Sequence, residues 1–152
     1  VFCFLHYFLD MKESRSIVAS KSKAFALRII KLYKYLSCEK KEMVLSRQIL
    51  RSGTSIGANI TEALSGISTN DFYAKIYVSF KESSETKYWL ELLHESDYIN
   101  DEQFASIYAD CIELNKLLSS ITKSTREKII NNKLRKVQGI GDTQSVKPTP
   151  NS

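Results

Sequence analysis

Helix-breaking residues are scarce in this chain. Its 152 residues include only 5 glycines and 2 prolines, and both prolines, Pro148 and Pro150, lie in the last five positions. A body almost without breakers favours long helices and argues against a β fold rich in turns. The hydrophobic fraction of 43% is typical of a globular protein, and the length suits one domain with a buried core.

Cysteine and histidine are also few. Cys3, Cys38 and Cys111 are widely spaced and form no CxxC pair, which indicates reduced thiols and a cytoplasmic location. With His6 and His94 as the only imidazoles, we expect neither a Cys/His zinc site nor another cofactor. Since His94 is the only imidazole of the predicted bundle, no serine or cysteine nucleophile can be assigned a base, and we predict no enzymatic activity.

No apolar run is long enough to cross a membrane. The longest at the start, residues 1–9, is too short for a bilayer and lacks the flanking signals of a secretion peptide. We therefore expect no membrane partner. Residues 1–18 are predicted to be an N-terminal extension, with Met11 as the candidate natural start. The alternative is that the first residues form a frayed helix or a strand lying on the bundle.

Hydrophobic periodicity predicts four helices, at residues 20–36, 39–64, 70–95 and 101–121. The connections between them are short, which favours an all-α, antiparallel, up-down-up-down four-helix bundle over residues 19–121. Residues 122–152 are predicted to be a basic tail, partly helical and then disordered from Gly139. The start signals are Ser20 or Ser22 for the first helix, Ser68 with Asp71 for the third, and Asn100 with Gln103 for the fourth.

Charge is distributed unevenly along the chain. The formal net charge is +5, but residues 11–60 carry +8, residues 61–121 carry −7, and residues 122–152 carry +5. If the first two helices form one side of the bundle, each subunit has a basic and an acidic side, which favours head-to-tail contacts that close into a ring. The alternative is that basic and acidic helices of one bundle neutralise each other.

Two glycines lie inside the second predicted helix. Gly53 and Gly57 are four residues apart and share one face, although each glycine costs a helix about 1 kcal/mol relative to alanine. Such a pair indicates a close contact between helices, either inside the subunit or between subunits. A phosphate-binding loop is not expected, because no GxxxxGK[ST] pattern is present.

Two runs of sequence resemble a known family. SRQILRSGTSIGANITEALSG and DFYAKIYVSFKESSETKYWLELL are similar to the bacterial four-helix-bundle family named for the intervening sequences of 23S rRNA, and the resemblance covers about residues 18–121. That family is similar to the accessory variability protein of diversity-generating retroelements, a five-subunit ring with basic surfaces. The resemblance implies a cytoplasmic bundle and a homopentamer. By analogy it also implies binding of RNA or DNA and of a nucleic-acid enzyme such as a reverse transcriptase.

Basic residues of the first two helices are the candidate nucleic-acid contacts. The same residues could instead form a basic surface that only keeps the protein soluble. The candidates in the first two helices are Lys21, Lys23, Arg28, Lys31, Lys34, Lys40, Lys41, Arg47 and Arg51. The tail adds further cations, namely Arg126, Lys128, Lys133, Arg135 and Lys136.

The third predicted helix has an apolar face wider than a surface helix needs, which suggests contact with another subunit. Trp89 is a candidate interface anchor or, alternatively, a core residue. Glu82 and Glu85 share a face with Trp89. We expect them either to pair with basic residues of a neighbouring subunit or to remain ordinary solvated acids. With Gly53 and Gly57 these are the candidate oligomer-interface residues.

Two further functions remain as alternatives. The oligomer could be a ring scaffold that binds another protein and no nucleic acid. A ferritin-like di-metal site would need paired ExxH motifs. Glu91 and His94 supply one such motif and Glu62 a further carboxylate, but a second ExxH is missing, so His94 is expected to be an ordinary polar residue near a helix end.

Overall fold

The computed structural model describes the backbone of residues 2–141 and the side chains of residues 13 and 15–137. Within these residues the chain forms four helices and no strand. They are α1 (Phe2–Cys38), α2 (Leu45–Leu64), α3 (Thr69–Glu95) and α4 (Asp101–Gly141). Each helix packs against the helix that follows it, and α4 closes the bundle against α1. The prediction of an all-α four-helix bundle is confirmed.

The predicted apolar stripes form a single core. Phe25, Ile29 and Leu36 of α1 are fully buried, as are Ile49, Ile56 and Ile60 of α2, Ile76, Leu90 and Leu93 of α3, and Cys111, Leu114 and Leu118 of α4. Burial of each large apolar side chain stabilises the fold by about 1.5–3 kcal/mol relative to its exposure. This spacing of buried positions determines which face of each helix remains outside.

Small polar side chains line the contact between α2 and α3. Ser79 Oγ donates a hydrogen bond of 2.9 Å to the carbonyl oxygen of Ile56, and Thr86 Oγ1 donates one of 3.0 Å to Ser52 Oγ. Ser52, Ser79 and Thr86 are completely buried. Because their hydroxyl groups have partners, these residues allow a close contact without leaving unsatisfied polar atoms.

The glycines of α2 face α1 of the same chain. A methyl group added at Gly53 would lie 2.7 Å from Ile29 Cγ1, whereas one added at Gly57 would lie 3.5 Å from Ser22 Oγ. The first distance is far below van der Waals contact, and the second is an ordinary contact. The close approach at Gly53 therefore occurs inside the subunit, which is the first of the two alternatives, and at both glycines an added methyl group would meet α1 of the same chain. Their assignment to an oligomer interface remains a prediction.

Two of the predicted helix starts are confirmed. The hydroxyl of Ser68 accepts a hydrogen bond from the backbone N–H of Asp71 at 3.1 Å. Asn100 and Gln103 form a reciprocal capping box, with distances of 3.0 and 2.9 Å between each backbone nitrogen and the other's side-chain oxygen. These side chains satisfy N–H groups that have no partner within their helix.

The predicted start of α1 at Ser20 or Ser22 is wrong. The helix begins at Phe2, and Ser22 lies buried in its interior, where its hydroxyl donates to the carbonyl oxygen of Ala19 at 2.9 Å. Serine at an interior position can bond to the preceding turn in this way, so its presence did not mark a helix end. The proposal that Met11 is the natural start remains a prediction.

The second helix begins later than predicted, at Leu45 and not at Glu39. Glu42 explains the boundary, because its carboxylate accepts hydrogen bonds from the backbone N–H groups of Val44, Leu45 and Ser46 at 2.9, 2.9 and 2.6 Å. Burial alone would raise the pKa of Glu42, but the three N–H donors outweigh burial and lower its pKa below the ordinary value of 4.5. The Glu42 carboxylate thus accepts the hydrogen bonds of N–H groups that have no backbone acceptor at the start of α2.

The fourth helix continues well beyond residue 121. It reaches Gly141 and so includes residues 122–136, the part of the tail predicted to extend this helix, as well as residues 139–141, which were predicted to be disordered. Thr125 is buried and Ile129 is half-buried on this extension. Part of the predicted disordered tail, residues 142–152, lies outside the described residues.

Alanine substitutions at the two glycines should change stability in opposite directions. Both gain about 1 kcal/mol of helix propensity. At Gly57 nothing opposes that gain, so Gly57→Ala should raise the free energy of unfolding by about 0.5–1 kcal/mol. At Gly53 the new methyl group collides with Ile29, and overpacking of this kind costs about 1–3 kcal/mol. Urea unfolding of both variants checks the sign, and equal effects would contradict the close contact.

Loss of the Glu42 carboxylate should destabilise the protein by about 1–2 kcal/mol at neutral pH, as expected for a helix cap. Because the folded-state pKa is lowered, the contribution is present above pH 4.5 and disappears as the pH falls through that pKa. Unfolding of Glu42→Gln and of the wild type should therefore differ at pH 7 and converge in acid. Glu39→Gln at the exposed neighbour is the control and should have no effect.

Candidate nucleic-acid interface

From residue 14 to its end at Cys38, α1 is basic on its outward face, and the exposed acid Glu13 lies just before this stretch. Residues 14–38 include no aspartate or glutamate. Lys23, Lys31 and Lys34 are all exposed, and their spacings of eight and eleven residues correspond to about two and three helical turns. These three lysines therefore form one stripe, opposite the buried stripe of Phe25, Ile29 and Leu36.

Two of the candidate cations are paired inside the subunit. Lys21 Nζ lies 2.9 Å from Glu113 Oε1, and Arg28 Nη1 lies 2.5 Å from Asp110 Oδ2, both across the contact between α1 and α4. Arg28 also donates to the carbonyl and hydroxyl oxygens of Ser106 at 3.1 and 2.8 Å. Since all four ionic groups are more than one third exposed, each pair contributes only about 0–1 kcal/mol.

The remaining candidates are also exposed, in the connection that follows α1 and on α2. Lys40 and Lys41 are exposed in the connection that leads to α2, and Arg47 and Arg51 are exposed one turn apart on α2. Among the residues with described side chains, no carboxylate lies within 4.0 Å of any of these four or of the lysine stripe on α1. We call this set of seven cations the basic face: Lys23, Lys31, Lys34, Lys40, Lys41, Arg47 and Arg51.

The cations of the C-terminal segment lie on an ordered helix. They are exposed along α4 after the end of the bundle core, where Glu127 is the acidic residue of the stretch 122–137. A regular helix presents them at fixed spacing, whereas a disordered tail would not. They are Lys123, Arg126, Lys128, Lys133, Arg135 and Lys136.

Trp89 lies partly in the core of its own subunit. It is half-buried against the core, and its indole nitrogen donates a hydrogen bond of 3.1 Å to Glu85 Oε1. The neighbouring Tyr88 packs edge-on against it and is 53% exposed. Trp89 is thus partly a core residue, which was the alternative to an interface anchor. The ring of Tyr88 beside it provides the exposed apolar surface.

Glu82 is partly buried and forms no ion pair with the described residues of its own chain. Its Oε2 atom is buried and has no hydrogen-bond partner among those residues. Pairing with a cation of a neighbouring subunit remains a prediction. Burial, followed by the charge of Glu85, raises the pKa of Glu82 above its ordinary value, and this rise exceeds the lowering by Arg51 and Lys81. The carboxyl group therefore favours its neutral form more than a surface glutamate does.

The acids of the di-metal alternative are engaged elsewhere. His94 Nε2 lies 2.7 Å from Asp101 Oδ1, and its ring stacks on Phe104 at 4.3 Å. Glu91 accepts a hydrogen bond from the Tyr108 hydroxyl at 2.5 Å, and Glu62 forms an ion pair with Lys75. Over the part of the chain whose side chains are described, no three His, Cys, Asp or Glu residues come close enough to hold a metal ion.

A cleft between α1 and α4 was not predicted from the sequence. Its volume is about 680 Å³, with Arg28 and Lys31 at one rim, Glu102 at the other, and Leu32 and Ile107 among its apolar walls. The two helices that form it are the first and last of the chain, so no local pattern indicates that they meet.

Within its described residues, none of the four helices has an apolar stretch of the length that a bilayer crossing requires.

Comparison with known proteins gives a close structural relative. The chain is 55% identical to a protein of unknown function from the S23 ribosomal protein family of Bacteroides thetaiotaomicron, whose crystal structure was determined at 1.70 Å. The two structures match with a TM-score of 0.71, over 72% of this chain and 98% of the other. No curated protein matches the sequence.

The family model of the 23S rRNA-intervening sequence proteins matches residues 14–120. This range contains most of α1, all of α2 and α3, and α4 as far as the end of the bundle core. The chain belongs to the 23S rRNA-intervening sequence protein family.

Proposed function

We propose that this chain is a non-enzymatic, homo-oligomeric protein that binds RNA or DNA through its basic face. The observation that carries the proposal is the composition of that surface. Seven cations are exposed, and among the described side chains none of them has a carboxylate within 4.0 Å. A surface that serves only solubility mixes both signs of charge, whereas the three lysines of the stripe on α1 lie in a stretch, residues 14–38, that contains no acidic residue.

The chemistry of the basic face is suited to phosphate groups. Lysine and arginine bind phosphate oxygens and release the counterions that surround a nucleic acid, which makes the binding strongly dependent on salt. One cation of the basic face, Lys40, lies over an aromatic ring, 5.8 Å from the centre of Tyr35. Among the described residues, no other cation of the basic face lies over a ring. Contacts of this type do not distinguish bases, so we expect binding to the basic face to tolerate any sequence.

Oligomerisation would multiply these contacts. Several copies of a weak site on one particle bind a long polyanion far more tightly than one copy does. The resemblance to the accessory variability protein implies five copies and, by analogy, a reverse transcriptase or similar enzyme as a further partner. Exposed Val78 and Tyr88, beside Glu82, Glu85 and Trp89 on α3, supply apolar surface for the contact.

Internal ion pairing reduces the charge that is left for contacts between subunits. Asp110 and Glu113 of α4 are used by Arg28 and Lys21 of the same chain, so the acidic side has fewer free carboxylates than the sequence suggests. Apolar contact on α3 would then provide most of the affinity between subunits, and charge would contribute mainly to their orientation.

The described thiol and imidazole groups of the bundle core support a non-catalytic function. Burial raises the pKa of the Cys111 thiol to about 12, with further contributions from Asp110 and Glu91 against the lowering by Lys87. A thiol with this pKa is rarely ionised at neutral pH and is a poor nucleophile. The His94 ring is engaged by Asp101 and Phe104.

A protein-binding scaffold is the second candidate, and the extension of α4 favours it. Ile130, Leu134 and Val137 follow a helical spacing and are 45%, 56% and 69% exposed. A stripe of three exposed aliphatic side chains on one helix is suited to a partner helix. In that case the oligomer would present protein-binding helices and no nucleic acid would bind.

Removing the lysine stripe should weaken nucleic-acid binding. We expect the triple variant Lys23→Gln, Lys31→Gln, Lys34→Gln to bind duplex DNA and single-stranded RNA at least tenfold more weakly at moderate salt. The slope of log affinity against log salt should become shallower by about one unit for each lost phosphate contact. Fluorescence anisotropy titrations at several salt concentrations measure both quantities.

The matched control changes the same net charge on the other half of the bundle. Lys75→Gln, Lys81→Gln, Lys116→Gln removes three cations from α3 and α4 and should leave the affinity nearly unchanged. Equal losses in the two triple variants would mean that only net charge matters, and no binding by the wild type at low salt would reject nucleic acid as a partner.

Light scattering should find a closed oligomer at micromolar concentration. Tyr88→Asp places a charge on the exposed apolar surface of α3 and should shift the protein towards monomers. Ile67→Asp is the control, because Ile67 is 98% exposed in the connection between α2 and α3 at one end of the bundle. A wild type that remains monomeric would contradict the oligomer.

A further inference from the structure

A groove lies between the first half of α3 and the part of α4 that follows the bundle core. One wall is aromatic and consists of Tyr73, Tyr77 and Phe80. The other wall is polar and cationic and includes Thr122, Lys123 and Arg126. Its volume of about 380 Å³ is in the range of small-ligand sites, roughly 300–1,000 Å³, and is suited to about one nucleotide unit at a time.

The aromatic wall provides a flat surface that is open to solvent. The rings of Tyr73 and Tyr77 are nearly parallel, with an angle of 14° between their planes and 6.0 Å between their centres. Tyr73 is half-buried, while Tyr77 is 45% exposed. The ring of Tyr73 thus lies beside that of Tyr77, and another planar group can stack on the exposed part of the Tyr77 ring.

The opposite wall supplies positive charge. Lys123 and Arg126 are exposed, and no carboxylate of the described side chains lies within 4.0 Å of either. Glu127 also lines the groove and reduces its net charge. Further along the same side of α4 lies exposed Lys133, seven residues or about two helical turns beyond Arg126, so a chain of phosphates that leaves the groove along α4 meets another cation.

A ring for stacking, next to cations, is the combination that recognises unpaired nucleotides. Every base has an aromatic face, and in a duplex the neighbouring pairs cover that face. We propose that this groove binds single-stranded nucleic acid, with a base stacked on Tyr77 and the adjoining phosphates held by Lys123 and Arg126. The inference rests on the proposed function and adds to it a second site, which gives the protein a preference for single strands over duplexes.

A helix of another protein, or of a second copy, is the other possible occupant. Tyrosines and Ile130, which also lines the groove, would suit such a contact. The charge favours the nucleic acid, because residues 122–137 carry six basic residues and one acidic residue. The experiment therefore includes a measurement that detects a protein contact.

The test compares Tyr77→Leu, which removes the ring and keeps an apolar side chain, with Tyr77→Phe, which keeps the ring. The probes are fluorescein-labelled oligoadenylates of about twelve nucleotides in RNA and DNA form, together with a duplex of the same length. Affinities are measured by anisotropy at several salt concentrations. Thermal melting checks that both variants are folded, and light scattering measures their oligomeric state.

Tyr77→Leu should bind the single strands about tenfold more weakly, with an unchanged salt slope and unchanged binding to the duplex. Tyr77→Phe should bind like the wild type. Lys123→Gln, Arg126→Gln should lower the salt slope for single strands by about 1.4 units, at about 0.7 for each lost phosphate contact. If only the RNA or only the DNA probe responds to Tyr77→Leu, that probe identifies the sugar of the ligand.

Three results would overturn the groove assignment. In the first, Tyr77→Leu binds single strands like the wild type while the lysine-stripe variant is weakened, so that the proposed function stands and the groove is not part of it. In the second, Tyr77→Leu weakens single strands and duplex equally. In the third, the variant changes the oligomeric state, which assigns the groove to a protein contact. If the wild type binds no probe, the proposed function and the groove both fail.

Discussion

The close approach of α1 to α2 at Gly53 determines which face of α1 is buried in the core and which face is exposed to solvent. No side chain separates the backbone of Gly53 from Ile29, so the stripe of Phe25, Ile29 and Leu36 is held in the core. The opposite face of α1, which carries Lys23, Lys31 and Lys34, is then turned outward. A rotation of α1 about its axis would bury lysines and expose isoleucine, and both changes are unfavourable. Core packing and surface charge are thus two consequences of one contact.

The sequence predicts the fold well, because helical periodicity and capping are local. The periodicity that predicts a helix at residues 101–121 and the capping box of Asn100 with Gln103 both act within a few residues, and the structure contains the helix and the capping box. The start of α2 could not be predicted, because glutamate is not a usual cap and its function at Glu42 depends on the turn around Lys41, where φ is 55°. Nor could it be predicted that Lys21 and Arg28 face Glu113 and Asp110, which are 92 and 82 positions away, since the rotation of α1 relative to α4 is set by packing.

Function is less accessible than fold because it depends on which charges remain unpaired. The sequence supplies nine candidate cations in the first two helices, and the bundle pairs two of them with α4. The remaining seven form the basic face, and six further cations follow on the extension of α4. A 55% identical structure is itself of unknown function, so the family relationship supports the architecture and the surface has to support the function. A second, aromatic site beside a cationic helix would combine phosphate attraction with base stacking in one small protein.

Ultraviolet crosslinking of the purified full chain to RNA, followed by mass spectrometry of the crosslinked peptides, tests the basic face most directly. The account predicts crosslinks in peptides that contain Lys23, Lys31 and Lys34 and in those around Arg47 and Arg51, and their loss at high salt. Crosslinks confined to the acidic second half of the bundle, or an equal yield at low and high salt, would contradict it.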